Sequence, residues 1–271
     1  MIRSIAAEFR KVRQRPALLV SVLVIVGIVA LVYVVSYIQA LNPGSSPRGN
    51  VNLATLYPAA FVTTVISIVP TLVGAIAVVL GALAMGTEFQ WNTIKTQLIQ
   101  GPGRLTSVGA KFVIIALWMA LLTIAFYGAA AAGSTGVALL QHHSITWPAA
   151  SVTGQALAAT WLIAFCYAML GAGLAFVFRQ SAAALGVGLI YVVVIQTILV
   201  GVLGTLFNGD FKWVTKLFDS QNADSLTGSI LGGAAANAAL VGPTQAVLVL
   251  LAYIAIFATV SGVLARRRDI A

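Results

Sequence analysis

The sequence predicts an all-α membrane protein with six transmembrane helices. Of its 271 residues, 60% are apolar and 8% are charged, whereas a soluble domain carries about 25% charged residues. Six stretches without Asp, Glu, Lys or Arg are long enough to cross the roughly 30 Å hydrocarbon core of a bilayer. We predict these spans, within one transmembrane domain over residues 1–271, at residues 17–41, 59–85, 112–135, 153–178, 181–206 and 244–265.

The charges lie in the connections and at the termini, and their distribution orients the chain. With both termini in the cytoplasm, 12 of the 15 Lys and Arg residues fall on the cytoplasmic side, which fits the positive-inside rule. The net charge of +9 is then explained by the orientation of the chain in the lipid bilayer, and no nucleic-acid partner is needed to account for it. We therefore expect a multi-pass protein of the plasma membrane.

Residues 1–15 are predicted to form an amphipathic helix at the inner membrane interface. Apolar residues recur there at helical spacing among basic ones until Pro16 interrupts the pattern. A basic flank that merely anchors the topology is the alternative. Because the apolar run that follows is longer than the core of a cleavable signal peptide, we interpret it as a retained first span.

The three connections predicted to face outward differ in character. Residues 42–58 form a polar, turn-rich loop, and residues 136–152 are uncharged. The connection 207–243 is long and ends in a Gly/Ala-rich segment, so we predict a re-entrant or interfacial element there. His142 and His143 are adjacent and have no acidic or thiol neighbour, so a solvated loop is favoured over a metal site.

The connection 86–111 is the most informative one. Thr87 and Gln90 match a capping box, Glu88 suits the first helical turn, and a Gly-Pro-Gly sequence ends the predicted helix at residue 100. This short helix has a single apolar face, which contains Trp91. It fits the groove of a partner protein, or alternatively it rests at the membrane interface with Trp91 as an aromatic anchor.

The same segment resembles the first cytoplasmic loop of ABC-2 type transporter permeases. The motif of that family, G-x-E-x-x-x-x-T-(I/L) followed by a Pro, an Arg and a later Lys, is present as Gly86, Glu88, Thr93, Ile94, Pro102, Arg104 and Lys111. The resemblance implies a half-transporter whose cytoplasmic helix docks on a separate ABC ATPase subunit, which binds ATP and Mg. It implies ATPase-coupling roles for Glu88, Phe89, Trp91, Ile94, Lys95 and Arg104.

The sequence lacks the motifs of several other functions. There is no P-loop, nucleophile elbow or His-Glu-x-x-His motif, so we expect no enzymatic activity and no cofactor in this chain. The charge-free spans also argue against proton coupling. A membrane scaffold or assembly subunit and an ion-coupled carrier, for example one coupled to sodium through backbone carbonyls, remain as alternatives to the permease of an exporter.

The second span carries a stripe of small or hydroxyl-bearing residues. It predicts either packing within the chain or a translocation path or dimer face shared with a second permease copy or a homologous permease. Gln196, the amide near the middle of the fifth span, either lines this path or makes an interhelical hydrogen bond. The spans favour a hydrophobic or amphipathic substrate such as a drug, lipid or peptide. The path residues are Thr63, Ser67, Pro70, Gly74 and Gln196.

Overall fold

The computed structural model describes residues 16–42, 51–90, 103–205 and 212–267. In these ranges all regular elements are helical, and six helices are long and apolar enough to cross a membrane, which confirms the predicted fold class. We number these spans one to six. They cover Ala17–Leu41, Val69–Phe89, Leu105–Leu140, Ala150–Phe178, Ser181–Leu203 and Pro243–Arg266.

The helices follow one another along the chain with short connections. In order they are α1 (Pro16–Leu41), α2 (Phe61–Ile66), α3 (Gly74–Gln90), α4 (Arg104–Leu140), α5 (Ala150–Phe178), α6 (Ser181–Ile190), α7 (Gln196–Thr205), α8 (Lys212–Thr215), α9 (Asp219–Leu231), α10 (Gly233–Asn237) and α11 (Pro243–Arg267). Two 3-10 turns, Leu53–Leu56 and Pro58–Ala60, precede α2. The amphipathic helix predicted at residues 1–15 lies outside the described residues.

Spans two and five each contain a π-helical turn. Val69–Val73 forms the first, just after the turn at residues 67–68, and Tyr191–Ile195 forms the second, between α6 and α7. Pro70 lies in the first π turn, and because proline has no backbone N–H it cannot continue a regular helical ladder. Such turns are frequently found at functional sites.

Span four is the centre of the bundle. In its most apolar window 72% of the residues are buried, against 11% in span six and 17% in span five. Its most extensive contact is with α3 of span two. Small residues make this contact close, since a Cβ atom on Gly81 would lie 1.9 Å from the Ala168 carbonyl oxygen and one on Gly171 would lie 2.1 Å from that of Val78.

α3 and α4 extend furthest beyond the limits predicted for their spans. α4 has 37 residues and is therefore about 55 Å long, whereas the sequence predicts residues 112–135. α3 continues to Gln90, five residues past the predicted end at residue 85. Helices do not have to end at the membrane surface, and the extensions bring Glu88 and Lys111 into neighbouring helices.

The connection between spans five and six folds into short helices. Its main element is α9, which we call the loop helix. The loop helix packs on span six, span four, α2 and the π turn of span two. It is therefore part of the helix bundle, although whether it re-enters the membrane stays a prediction.

Candidate functional site

The end of span two carries a buried ion pair. Glu88 is 2% exposed and the Lys111 side chain is 8% exposed, and the ammonium group of Lys111 contacts Oε2 of Glu88. Glu88 lies in the last turn of α3 and Lys111 lies two turns into α4. The pair therefore joins spans two and three close to the segment that connects them.

Two further contacts fix this end of span two. A Cβ atom on Gly86 would lie 2.5 Å from the Cα atom of Ser181, so the glycine lets the start of span five approach closely. The Phe89 ring packs edge-on against the Phe176 ring of span four, with centroids 5.3 Å apart. Gly86, Glu88 and Phe89 thus contact spans five, three and four respectively.

The capping box predicted at Thr87 and Gln90 is wrong. Thr87 lies inside α3, and its hydroxyl donates a hydrogen bond of 2.8 Å to the Leu83 carbonyl oxygen one turn earlier. A membrane helix that continues into the connection has no N-terminus at this point. The remaining coupling residues fall partly outside the structure: Trp91, Ile94 and Lys95 are not among the described residues, and Arg104 begins α4.

The stripe of span two is divided between two environments. Thr63 and Ser67 are exposed, and their hydroxyls donate to the carbonyl oxygens of Ala60 and Thr64. Pro70 is buried, and a Cβ atom on Gly74 would lie 3.0 Å from the Tyr167 ring of span four. At Gly74 the stripe therefore serves packing within the chain, whereas at its Thr63 end it faces outward.

Gln196 makes an interhelical hydrogen bond, one of the two roles predicted for it. It is 3% exposed, and its amide donates a bond of 2.5 Å to Oδ1 of Asp219, the first residue of the loop helix. The Tyr191 hydroxyl donates a second bond of 2.9 Å to the same oxygen. Asp219 is 1% exposed. We call Asp219, Gln196 and Tyr191 the carboxylate cluster.

The carboxylate cluster was not predicted from the sequence. Apart from Glu88 at the end of span two, the six spans contain no acidic residue, but the loop helix brings one against span five from the following connection. Local sequence carries only a weak signal, namely an Asp at the first position of a helix, where its charge suits the helix dipole. The contact itself joins residues 23 positions apart and depends on the tertiary fold.

An apolar cavity of about 350 Å³ lies among spans one, two and five. The hydroxyl of Ser21, the one polar side chain that lines it, already donates to the Leu18 carbonyl oxygen and accepts from Nε1 of Trp118. The surface offered to a ligand is therefore apolar. The other lining residues are Ala17, Val20, Val24, Ala75, Ile76, Val79, Leu80, Leu83 and Leu189.

The histidines of the connection between spans three and four are solvent-exposed. The His143 ring stacks on Tyr57 with centroids 3.9 Å apart, and His142 adopts a positive φ of 51°. In the described ranges, no group of three or more His, Cys, Asp or Glu residues is arranged to hold a metal ion.

The six spans define a multi-pass membrane protein. The sequence pattern of a family described as ABC-2 family transporter protein matches residues 4–196. The chain belongs to this family, and it is accordingly a membrane transport permease. No curated protein matches the sequence.

Proposed function

We propose that this chain is the permease subunit of an ATP-driven exporter and works with a separate ABC ATPase. The observation that carries the proposal is the arrangement at the end of span two, where Gly86, Glu88 and Phe89 contact three other spans. The family match includes this region. In this proposal the protein lies in the plasma membrane with both termini in the cytoplasm, and ATP and Mg bind to the partner.

The contacts at this end suit the transmission of force. A segment that an ATPase moves must be attached to the spans through stiff contacts, because flexible ones would absorb the displacement. A buried ion pair and a partly buried ring contact have few alternative arrangements. Residues 91–102 connect α3 to α4, so a force applied to them acts directly on both members of the Glu88–Lys111 pair.

The substrate we propose is hydrophobic or amphipathic, such as a drug, a lipid or a peptide. The apolar cavity among spans one, two and five supports this choice, because its lining provides one hydroxyl and that hydroxyl is already bonded. A volume of about 350 Å³ lies within the usual range of small-molecule sites. A sugar phosphate would find no charged partner there.

Two other functions give different experimental outcomes. A scaffold or assembly subunit would neither move a substrate nor change the turnover of an ATPase. An ion-coupled carrier is favoured by one observation, the carboxyl group of Asp219 that the connection buries against span five, since acids that face the interior of a helix bundle often serve ion coupling. Such a carrier would transport without ATP and would respond to an ion gradient.

The first prediction tests coupling to an ATPase. Trp91→Ala in the full complex should lower substrate-stimulated ATP turnover and weaken co-purification of the ATPase, because an aromatic anchor in a pocket contributes about 2 kcal/mol or more to binding. Co-purification and ATP turnover in nanodiscs provide the measurements. Trp213→Ala is the matched control, since Trp213 is exposed in the connection between spans five and six. Unchanged turnover and binding in Trp91→Ala would favour the interfacial anchor.

The second prediction concerns a pair of permeases. Thr63 in α2 and Ser67 in the turn that follows are exposed just before span two, and we propose that this face meets a second copy or a homologous permease. A cysteine at position 67 should form a disulfide between chains in membranes under mild oxidation. A cysteine at position 74 should not, because Gly74 is covered by Tyr167. If neither cysteine links two chains, this face is exposed to lipid.

A further inference from the structure

The buried carboxylate of Asp219 has an unusual set of partners. In the described part of the chain it forms no ion pair with Lys, Arg or His. Its partners are neutral donors: Tyr191, Gln196 and the backbone N–H groups of Asp219 and Ser220. A buried charge without a charged partner is costly, and a carboxyl group can remove that cost by binding a proton.

The positions of the two side-chain donors leave room for a proton. Tyr191 and Gln196 both donate to Oδ1, and among the described side chains none bonds to Oδ2. A neutral carboxyl group has one carbonyl oxygen that accepts and one O–H group that donates. Nearby on the loop helix, Oγ of Ser220 and Oδ1 of Asn222 are buried without a hydrogen-bond partner among the described residues. The region therefore contains acceptors that lack a donor.

The cluster also spans the π turn of span five. Tyr191 is the first residue of that turn and Gln196 follows its last. In a regular α-helix, residues five positions apart point roughly 140° away from each other. The wider π turn brings both side chains to Oδ1 of Asp219 on the loop helix. Docking of the loop helix therefore depends on the π-helical geometry of span five.

We propose that Asp219 is a proton-binding site, and that the bound proton holds the loop helix against span five. The site and its ligand are independent of the proposed function, because neither an ATPase nor a substrate takes part.

The sign of the pH dependence follows from burial. Burial raises the pKa of Asp219 above its ordinary value of 3.8, and the hydrogen bonds to Tyr191, to the backbone and to Gln196 oppose this shift. Because the pKa of Asp219 is higher in the docked state than in an exposed one, protonation favours docking. Docking is therefore strongest at low pH and weakens as the pH rises towards the raised pKa of the docked state.

Other titratable groups surround Asp219 and must be considered. Span four contributes Cys166 and Tyr167, span five contributes Tyr191, and span six contributes Tyr253. The stretch 61–73, which comprises α2 and the π turn of span two and also contacts the loop helix, contains no titratable residue. Asp224 lies on the loop helix itself and is exposed, but desolvation by the surrounding protein raises the pKa of its carboxyl group as well. Asp224→Asn removes this second titration and is therefore the matched control.

The third prediction tests this site by hydrogen–deuterium exchange of the full chain in nanodiscs. Asp219→Asn, which is permanently neutral, should keep amides 219–231 protected at all pH values. The ratio of the wild-type exchange rate to that of Asp219→Asn should rise by up to about tenfold per pH unit as the pH passes from the pKa of an exposed Asp219 to the pKa of Asp219 in the docked state. Above the pKa of the docked state, this ratio should remain constant. Asp224→Asn should retain the wild-type pH dependence.

Infrared spectroscopy of the wild type provides a second measurement, which stays decisive if Asp219→Asn does not fold. A carboxylic acid C=O band should persist above the pH at which exposed aspartates ionise, and Asp224→Asn should retain it. The proposal is overturned if this band is absent, if exchange of the loop helix follows pH equally in the wild type and Asp219→Asn, or if sodium at constant pH produces the whole effect.

Discussion

Gly81→Ala is expected to destabilise the protein more than any other Gly→Ala substitution in its spans. The new Cβ atom would lie 1.9 Å from the carbonyl oxygen of Ala168 and 2.9 Å from its Cα atom. These are backbone atoms of the central span, so no flexible side chain can move aside. We expect a loss of about 3 kcal/mol in the free energy of unfolding, at the upper end of values for overpacked cores.

Reversible unfolding by SDS in mixed micelles, followed by tryptophan fluorescence, would measure this loss. Gly128→Ala is the matched control, because Gly128 lies within span three and a Cβ atom there would meet nothing within 4 Å. Alanine at that position should be neutral or slightly stabilising, as it usually is within helices. Equal stabilities for the two variants would mean that spans two and four are further apart than described.

Lys111→Met is expected to have the second large effect. It leaves the Glu88 carboxylate buried without the Lys111 ammonium, and breaking a buried ion pair in this way costs about 3–5 kcal/mol. Because the pair joins spans two and three beside the connection 91–102, we expect the variant to lose both stability and ATPase coupling. The same unfolding assay and ATP turnover of the complex provide the measurements.

The double variant Glu88→Met Lys111→Met separates the two effects. Replacing both charges by apolar side chains often restores stability, because no buried charge remains. If the pair also transmits force, the double variant should be stable yet poorly coupled. Recovery of both properties would limit the pair to a structural role, and a stable Lys111→Met single variant would show that Glu88 is not as buried as described.

The sequence was sufficient for the number of spans but not for their ends. A bilayer requires about 20 consecutive apolar residues for each crossing helix, so charge-free runs reveal the spans directly. This requirement does not determine where a helix ends, because a helix can continue past the membrane surface. α4 therefore extends from Arg104 to Leu140, and the predicted helix start at Thr87 is in fact the last part of α3.

The candidate sites were only partly predictable for a related reason. Glu88 was identified from a local motif, but its partner Lys111 was recognised only as a later member of that motif. Gln196 was identified because an amide is rare within an apolar span, whereas the carboxylate it binds lies in a connection. Contacts between distant segments are set by the packing of the whole bundle, and a single sequence does not show them.

The central position of span four has a consequence for inherited variation. Spans one, five and six bury only 22%, 17% and 11% of the residues in their most apolar windows. Lipid tails do not distinguish Leu from Val or Ile on the outward faces of these spans, so neutral drift is free to exchange the residues there. Span four has neighbours on nearly every side, and at Ala168 and Gly171 those neighbours are backbone atoms. A change there survives only with a compensating change in a facing helix, so span four should diverge slowly and in step with span two.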